Sequence, residues 1–334
     1  MKSILIYLIV FCTAIVAQDM KTIGLIHRED SAVNILIPED AVIEVLAEGF
    51  DWSEGPVWIQ DGGYLLFNDI PPNTLYKWNE SDGLSVFLRP AGYAIGDNPP
   101  GREVGCNGLF VNPTNGQLVL CDHGNRCLAQ LNQQNWIKTV LIDKFDGRRL
   151  NSPNDVVIRS DGHIYFTDPP YGLLGQENNP AKELDFNGVF HLSPDSAIEL
   201  ITKELPRPNG IILSPDEKKL YVANSASNAI WMVFDVEENG SASNGRIFFD
   251  ANSLRAAGKR GGCDGMTIDT KGNLYATGPG GVLILSPDAK LLGTIETGAA
   301  TSNCCFGGDN GDELYITSDM YLCRVKTLAQ GIGF

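Results

Sequence analysis

The stretch Asn151-Ser-Pro-Asn-Asp-Val-Val-Ile-Arg-Ser-Asp-Gly-His-Ile-Tyr-Phe-Thr-Asp-Pro-Pro-Tyr-Gly172 reads as two strands joined by a tight turn. Val156, Val157 and Ile158 are β-branched, Ile164 recurs in the run His163 to Thr167, and Asp161-Gly162 between them is a hairpin signal. Asn154 and Asp155 stand where the first strand begins. The unit recurs along the chain. Its second strand returns after Asp61, Asn115, Asp161, Asp216, Lys271 and Gly311, at intervals of 54, 46, 55, 55 and 40 residues. Four copies carry a tyrosine at the same position: Tyr165, Tyr221, Tyr275 and Tyr315.

A second strand recurs just upstream of each copy. It opens Glu54-Gly-Pro-Val-Trp58, Asn107-Gly-Leu-Phe110, Asn154-Asp-Val-Val157, Asn209-Gly-Ile-Ile212, Asp264-Gly-Met-Thr267 and Asn303-Cys-Cys-Phe306. A period near 50 residues with about four strands per repeat marks a propeller blade. The expected fold is therefore all-β, a six-bladed β-propeller over residues 41–327, with a lead-in at 18–40 and a tail at 328–334. The strand Ala41 to Ala47 is expected to join the last blade and close the ring, removing an open edge. Ser253 to Lys259 is the best helical stretch, worth a single turn.

Composition agrees. The chain has 334 residues, 36 glycines and 18 prolines, a turn-rich content with ample apolar residues for one large β domain. The net charge of −16 argues against nucleic acid and anionic membrane surfaces as partners. Met1 to Ala17 has the short apolar run and small-residue end of a secretory signal, which implies export to the periplasm or extracellular space. Export permits disulfides, and Cys121 and Cys127 are spaced to close a small loop. Seven cysteines follow the signal and only four histidines are present, scattered, so structural zinc is not expected.

In a blade the innermost strand lines the central channel. The polar leaders Glu54, Asn107, Asn154, Asn209, Asp264 and Asn303 should then converge at one end of it. Asp69, His123, Asp168, Asn224 and Ser318, near the second-strand ends, should rim the same pocket. The insertions Ala91 to Gly105 and Tyr171 to Asp185 are candidate pocket walls. A ring of carboxylate and amide oxygens suits a hard divalent cation, calcium before magnesium. Such residues also simply make turns before strands; it is their correspondence from blade to blade that favours a metal.

Several motifs, in order and spacing, resemble the gluconolactonase, SMP-30 and regucalcin-like family. They are Trp52-Ser-Glu-Gly-Pro-Val-Trp58, Cys121-Asp-His-Gly-Asn-Arg126, Asn151-Ser-Pro-Asn-Asp155, Phe166-Thr-Asp-Pro-Pro-Tyr-Gly172, Pro208-Asn-Gly210, Cys263-Asp-Gly-Met266 and Thr301-Ser-Asn-Cys-Cys-Phe-Gly-Gly308. The resemblance implies one divalent ion on Glu54, Asn154, Asn209 and Asp264, with calcium foremost and Mg2+, Mn2+ or Zn2+ as alternatives. It implies hydrolysis of a small-molecule sugar lactone to the aldonic acid, the ion polarising the carbonyl and water attacking. Asp264 is the candidate base, with metal activation of the water the other route. Asn107, His123, Ser152 and Tyr171 are candidate substrate contacts; Ser152 stands near where the mammalian branch carries an arginine. Competing readings are a phosphotriesterase-like hydrolase on the same ion and a non-enzymatic ligand-binding propeller with a structural ion. Gly-x-Ser-x-Gly is absent, which removes support for a serine esterase.

Overall fold

A computed structural model describes residues 20–93 and 101–333. The signal-like Met1–Ala17 and the middle of the first insertion, 94–100, lie outside the described residues. Six antiparallel sheets follow one another along the chain, and their inner strands touch in sequence around a closed ring. The inner strands are Ser53–Ile59, Cys106–Val111, Val156–Ile158, Pro208–Leu213, Met266–Ile268 and Thr301–Gly307. In the last blade Ile43–Glu48 pairs with Tyr321–Lys326, so strands from both ends of the chain complete one sheet. The lead-in adds two edges. Leu25–Arg28 is a fifth strand on blade five, and Thr22–Ile23 pairs with Ile43 and Glu44 on blade six. The short helix spans Asn252–Ala256.

Burial explains the repeat. Inner and second strands are apolar and buried, whereas outer strands such as Gly83–Leu88 face water. The four repeated tyrosines are all buried, and Tyr315 stacks on Trp58 of the first blade with ring centroids 5.5 Å apart. Each such ring removes apolar area between blades, worth ~25 cal/mol per Å2.

Each inner strand breaks its ladder at or beside the polar leader, or starts pairing only after it. In blades one, two, four and six, pairing shifts register at Glu54/Val57, Cys106/Leu109, Pro208/Ile211 and Thr301/Asn303. In blades three and five the pairing begins only after the leader, at Val156 and Met266. Such irregularities re-aim side chains. Here they also press each leader's backbone against the previous blade. A Cβ at Gly55 would stand 2.1 Å from the Asn107 carbonyl oxygen, and one at Gly210 would stand 2.2 Å from that of Asp264. Glycine is therefore required by close approach at both, and at Gly55 also by its φ of +52°. Hydrogen bonds cross the same seams: Gly108 N donates to Asn154 O (2.8 Å), Thr167 Oγ1 to Asn209 O (2.8 Å) and Ser302 Oγ to Ser53 O (2.6 Å).

The second-strand ends correct the sequence expectation. Asp69, Asp168 and Asn224 are buried, and their side chains hold the backbone just before the leaders. Asp69 accepts from Trp52 N at 2.9 Å, Asp168 from Asn151 N and Ser152 N at 2.7 and 2.8 Å, and Asn224 Oδ1 from Arg207 N at 3.0 Å. Ser318 is likewise committed, to Thr297 Oγ1 at 2.7 Å. They clamp loops instead of lining the channel. The cysteines are the second correction. All seven in the described residues are free thiols. Cys127 pairs with Asp122 and Leu128 with Cys121, so Cys121 and Cys127 emerge on opposite faces of their hairpin and do not bond.

Two predictions follow from this packing. Gly210→Val should lower stability by about 1–3 kcal/mol through overpacking, whereas Gly262→Ala, whose nearest neighbour is 3.7 Å away, should be close to neutral; equal urea midpoints would contradict the seam. Burial raises the Asp168 carboxyl to about 7, against the opposing pull of the Asn151 and Ser152 amides. A carboxyl with a raised folded pKa stabilises most at low pH and loses that contribution as pH rises through the folded value. Asp168→Asn should thus cost stability overall, yet flatten the decline in unfolding free energy between about pH 4 and pH 7; an unchanged slope would contradict this.

Candidate metal centre and channel mouth

Glu54 and Asn209 are 2% and 4% exposed, and Asn107 and Asn154 are equally buried. Glu54 accepts from Gly55 N at 2.9 Å. Asn209 Nδ2 donates to Ser225 Oγ at 3.3 Å, leaving its amide oxygen free, and the amide lies against Asp264. Asn303 accepts from Cys304 N at 2.8 Å through Oδ1, which turns its amide nitrogen toward the carboxyls of Glu54 and Asp155. Glu54, Asp155, Asp264, Asn209 and Asn303 are thus neighbours around one spot, with the Asn303 amide nitrogen facing carboxyls.

The electrostatics are those of a site short of positive charge. Burial, then Asp264, raises the Glu54 carboxyl well above its usual range; burial, then Asp155 and Glu103, does the same for Asp264. Neither is in an ion pair with lysine or arginine among the described residues. Asp264 Oδ1 is buried and has no hydrogen-bond partner among the described residues. Two like charges out of water with an orphaned oxygen are costly unless neutralised. The donors are all oxygens, two carboxylates and two amides, which fits a hard divalent cation. No cluster of three or more His, Cys, Asp or Glu arranged for a metal occurs among the described residues, so the amides are essential to such a site.

Around this ring the contacts divide. His123 is fully buried, with Nε2 3.4 Å from Asn107 Nδ2 and Nδ1 3.6 Å from Glu103 Oε2. Burial depresses its pKa to about 3, which favours the neutral imidazole, and Nδ1 has no hydrogen-bond partner among the described residues. Tyr171 lies on the same side, its hydroxyl 2.5 Å from Ser225 Oγ, which in turn meets Asn209. Ser152 departs from its expected role. Its hydroxyl is fully buried, donates to Pro169 O at 2.6 Å and accepts from Gly172 N at 2.9 Å, so it holds a turn rather than meeting a ligand. Asp155 accepts from Val156 N at 2.9 Å and from Ile211 N at 3.3 Å, fastening blade three to blade four.

Glu103 is the residue that sequence reasoning missed. It sits in the first insertion, where Gly-Arg-Glu-Val-Gly carries no strand period and no repeat partner. Burial raises its carboxyl to about 7. The two insertions meet there: a Cβ on Gly101 would stand 2.4 Å from the Gly172 carbonyl oxygen, and one on Gly172 would stand 2.9 Å from His123 Cβ. They wall the mouth together.

Comparison with known proteins agrees with this architecture. Residues 52–320 match the family described as the SMP-30/gluconolactonase/LRE-like region. A gluconolactonase of Zymomonas mobilis is 42% identical over 323 residues, covering 93% of this chain and 88% of the relative. Rabbit regucalcin is 28% identical over 279 residues, covering 82% and 85%. A solved gluconolactonase of Xanthomonas campestris superimposes with a TM-score of 0.78 at 27% identity, covering 93% of this chain and 99% of that one. On its matched length, its propeller and its motifs, the chain belongs to the SMP-30/gluconolactonase/LRE-like family.

Proposed function

We propose that this protein is a metal-dependent hydrolase that opens a sugar lactone to the aldonic acid. The observation that carries the reading is the meeting of buried Glu54 with half-buried Asp264 at the channel mouth, like charges without a cationic side-chain partner among the described residues. The name of the Zymomonas relative supports the substrate class. Glu54, Asn154, Asn209 and Asp264 would hold one divalent ion, calcium first for an all-oxygen set. When bound, the ion would polarise the lactone carbonyl and stabilise negative charge on its oxygen.

The chain's own groups supply the rest. Asp264 takes the proton of the attacking water through its unpartnered Oδ1. A new bond forms between water oxygen and carbonyl carbon, the ring C–O bond breaks, and the proton passes to the departing ring oxygen. The product is an open-chain hydroxy acid, which ionises at neutral pH. Asn107, its amide steadied by neutral His123, and Tyr171, steadied by Ser225, face the sugar hydroxyls. Glu103 stands beside the far nitrogen of the His123 ring, at 3.6 Å, without a hydrogen bond to it. The leader at Met1–Ala17 would deliver the enzyme to the periplasm or beyond. There its cysteines would persist as thiols because burial raises their pKa, to about 12 for Cys127 and Cys323.

The test is acid release from glucono-1,5-lactone by metal-stripped protein, with and without restored Ca2+, Mg2+, Mn2+ or Zn2+. Turnover should require the ion. Asp264→Asn should lower kcat by about 100-fold or more, and Glu54→Gln should raise the ion concentration needed for half-activity. Turnover of an aromatic phosphotriester but no lactone would shift the reading to a phosphotriesterase. No turnover, with ion binding that raises the melting temperature, would leave a binding propeller with a structural ion.

A further inference from the structure

A cavity of about 520 Å3 opens behind the channel wall, where the two insertions meet, and two arginines line it. Arg126 is 3% exposed. Its Nε donates to Leu150 O and Asn151 O at 2.8 and 3.1 Å, and its Nη1 to Ala181 O at 2.9 Å. Its Nη2 is buried and has no partner among the described residues. Arg149 donates through Nη2 to Asn125 O at 2.8 Å. Neither guanidinium meets a carboxylate within ion-pair distance among the described residues. The nearest carboxyls are already committed to backbone amides, Asp168 to Asn151 and Ser152 and Glu183 to Arg149 N.

Two adjacent cations satisfied only by carbonyl oxygens are unusual in a chain of net charge −16, which has acids to spare. Guanidinium is the group best matched to planar or tetrahedral oxyanions. Leu173, Tyr93 and Asn125 add apolar, aromatic and amide surface to the lining. Gly124 lines the cavity, and its neighbour His123 contacts Asn107 of the second inner strand.

We propose that the Arg126–Arg149 cavity is an oxyanion subsite for a sugar acid, taking its carboxylate or phosphate. The choice of a sugar acid rests on the lactone-hydrolase reading; the oxyanion chemistry does not. Occupied by a carboxylate, the subsite receives the product of lactone opening. Occupied by a phosphate, it selects a phosphorylated sugar.

Calorimetric titration of the metal-stripped, full-length protein tests this, with gluconate, 6-phosphogluconate and inorganic phosphate as probes and glucose as the neutral control. At least one acid should bind saturably, glucose should not, and Arg149→Gln should weaken the acid by about tenfold or more, with partial recovery in Arg149→Lys. Gluconate binding without phosphate assigns the carboxylate, and binding of the phosphorylated probes alone assigns the phosphate; either supports the subsite. Arg126→Lys is the second variant, read only if its melting temperature shows it folded, and should weaken the same acid. No saturable acid binding, or equal affinity in the parent and Arg149→Gln, overturns the proposal. The readout is binding without turnover, so a protein inactive on every lactone can still pass and an active one can fail.

Discussion

The structure depends on one constraint: each inner strand must abandon its ladder for a residue or two where it meets the channel. A strand that paired regularly from its first residue would alternate its side chains between blade faces and aim few at the axis. The ladder breaks beside Glu54 and Asn303, breaks across Asn107 and Asn209, and starts late after Asn154 and Asp264, and such breaks re-aim side chains at the strand ends. The same break drives backbone against backbone at the seams, which is why small residues follow the leaders at Gly55, Gly108, Gly210 and Gly265. Blades three and six depart from this, with Asp155 and Cys304 after their leaders, and blade three shows an alternative. Asp155 replaces the glycine and fastens the seam with its own carboxylate, to Val156 N and Ile211 N.

That geometry concentrates acid where a protein of this size would not otherwise place it. Glu54, Asp155 and Asp264 share one low-dielectric spot, with Glu103 close by, and each is raised by burial. Folding tolerates the cost because the rest of the ring is over-determined, by tyrosines packed between blades and by clamps such as Asp168 on Asn151 and Ser152. Local conflict of this kind, in an otherwise consistent fold, is the mark of a functional site.

Much of this was legible in the sequence because it is periodic. Tyr165, Tyr221, Tyr275 and Tyr315 recur in step, and so do the polar leaders, so blade number and the identity of the ring could be read by alignment of the chain with itself. What was not legible depends on which face a side chain takes or on contacts between insertions. Asp69 and Asp168 stand at the right end of the blade to rim the pocket, and only their hydrogen bonds show that they hold loops. Ser152 follows the same logic. Cys121 and Cys127 are near in sequence but on opposite faces of a hairpin. Glu103 lies in a stretch without repeat or period, and it is tertiary contact that carries it to His123. Leu25–Arg28 extends blade five across more than two hundred residues of chain, a pairing that no local pattern announces.

The account's central claim is that the ring of leaders is a cation site. The most direct measurement is an anomalous-scattering map from crystals of the protein equilibrated with calcium or manganese. The account predicts one dominant peak on the channel axis, within about 2.0–2.6 Å of oxygens from Glu54, Asn154, Asn209 and Asp264. A peak elsewhere, or none at saturating ion with the four side chains ordered, would contradict it.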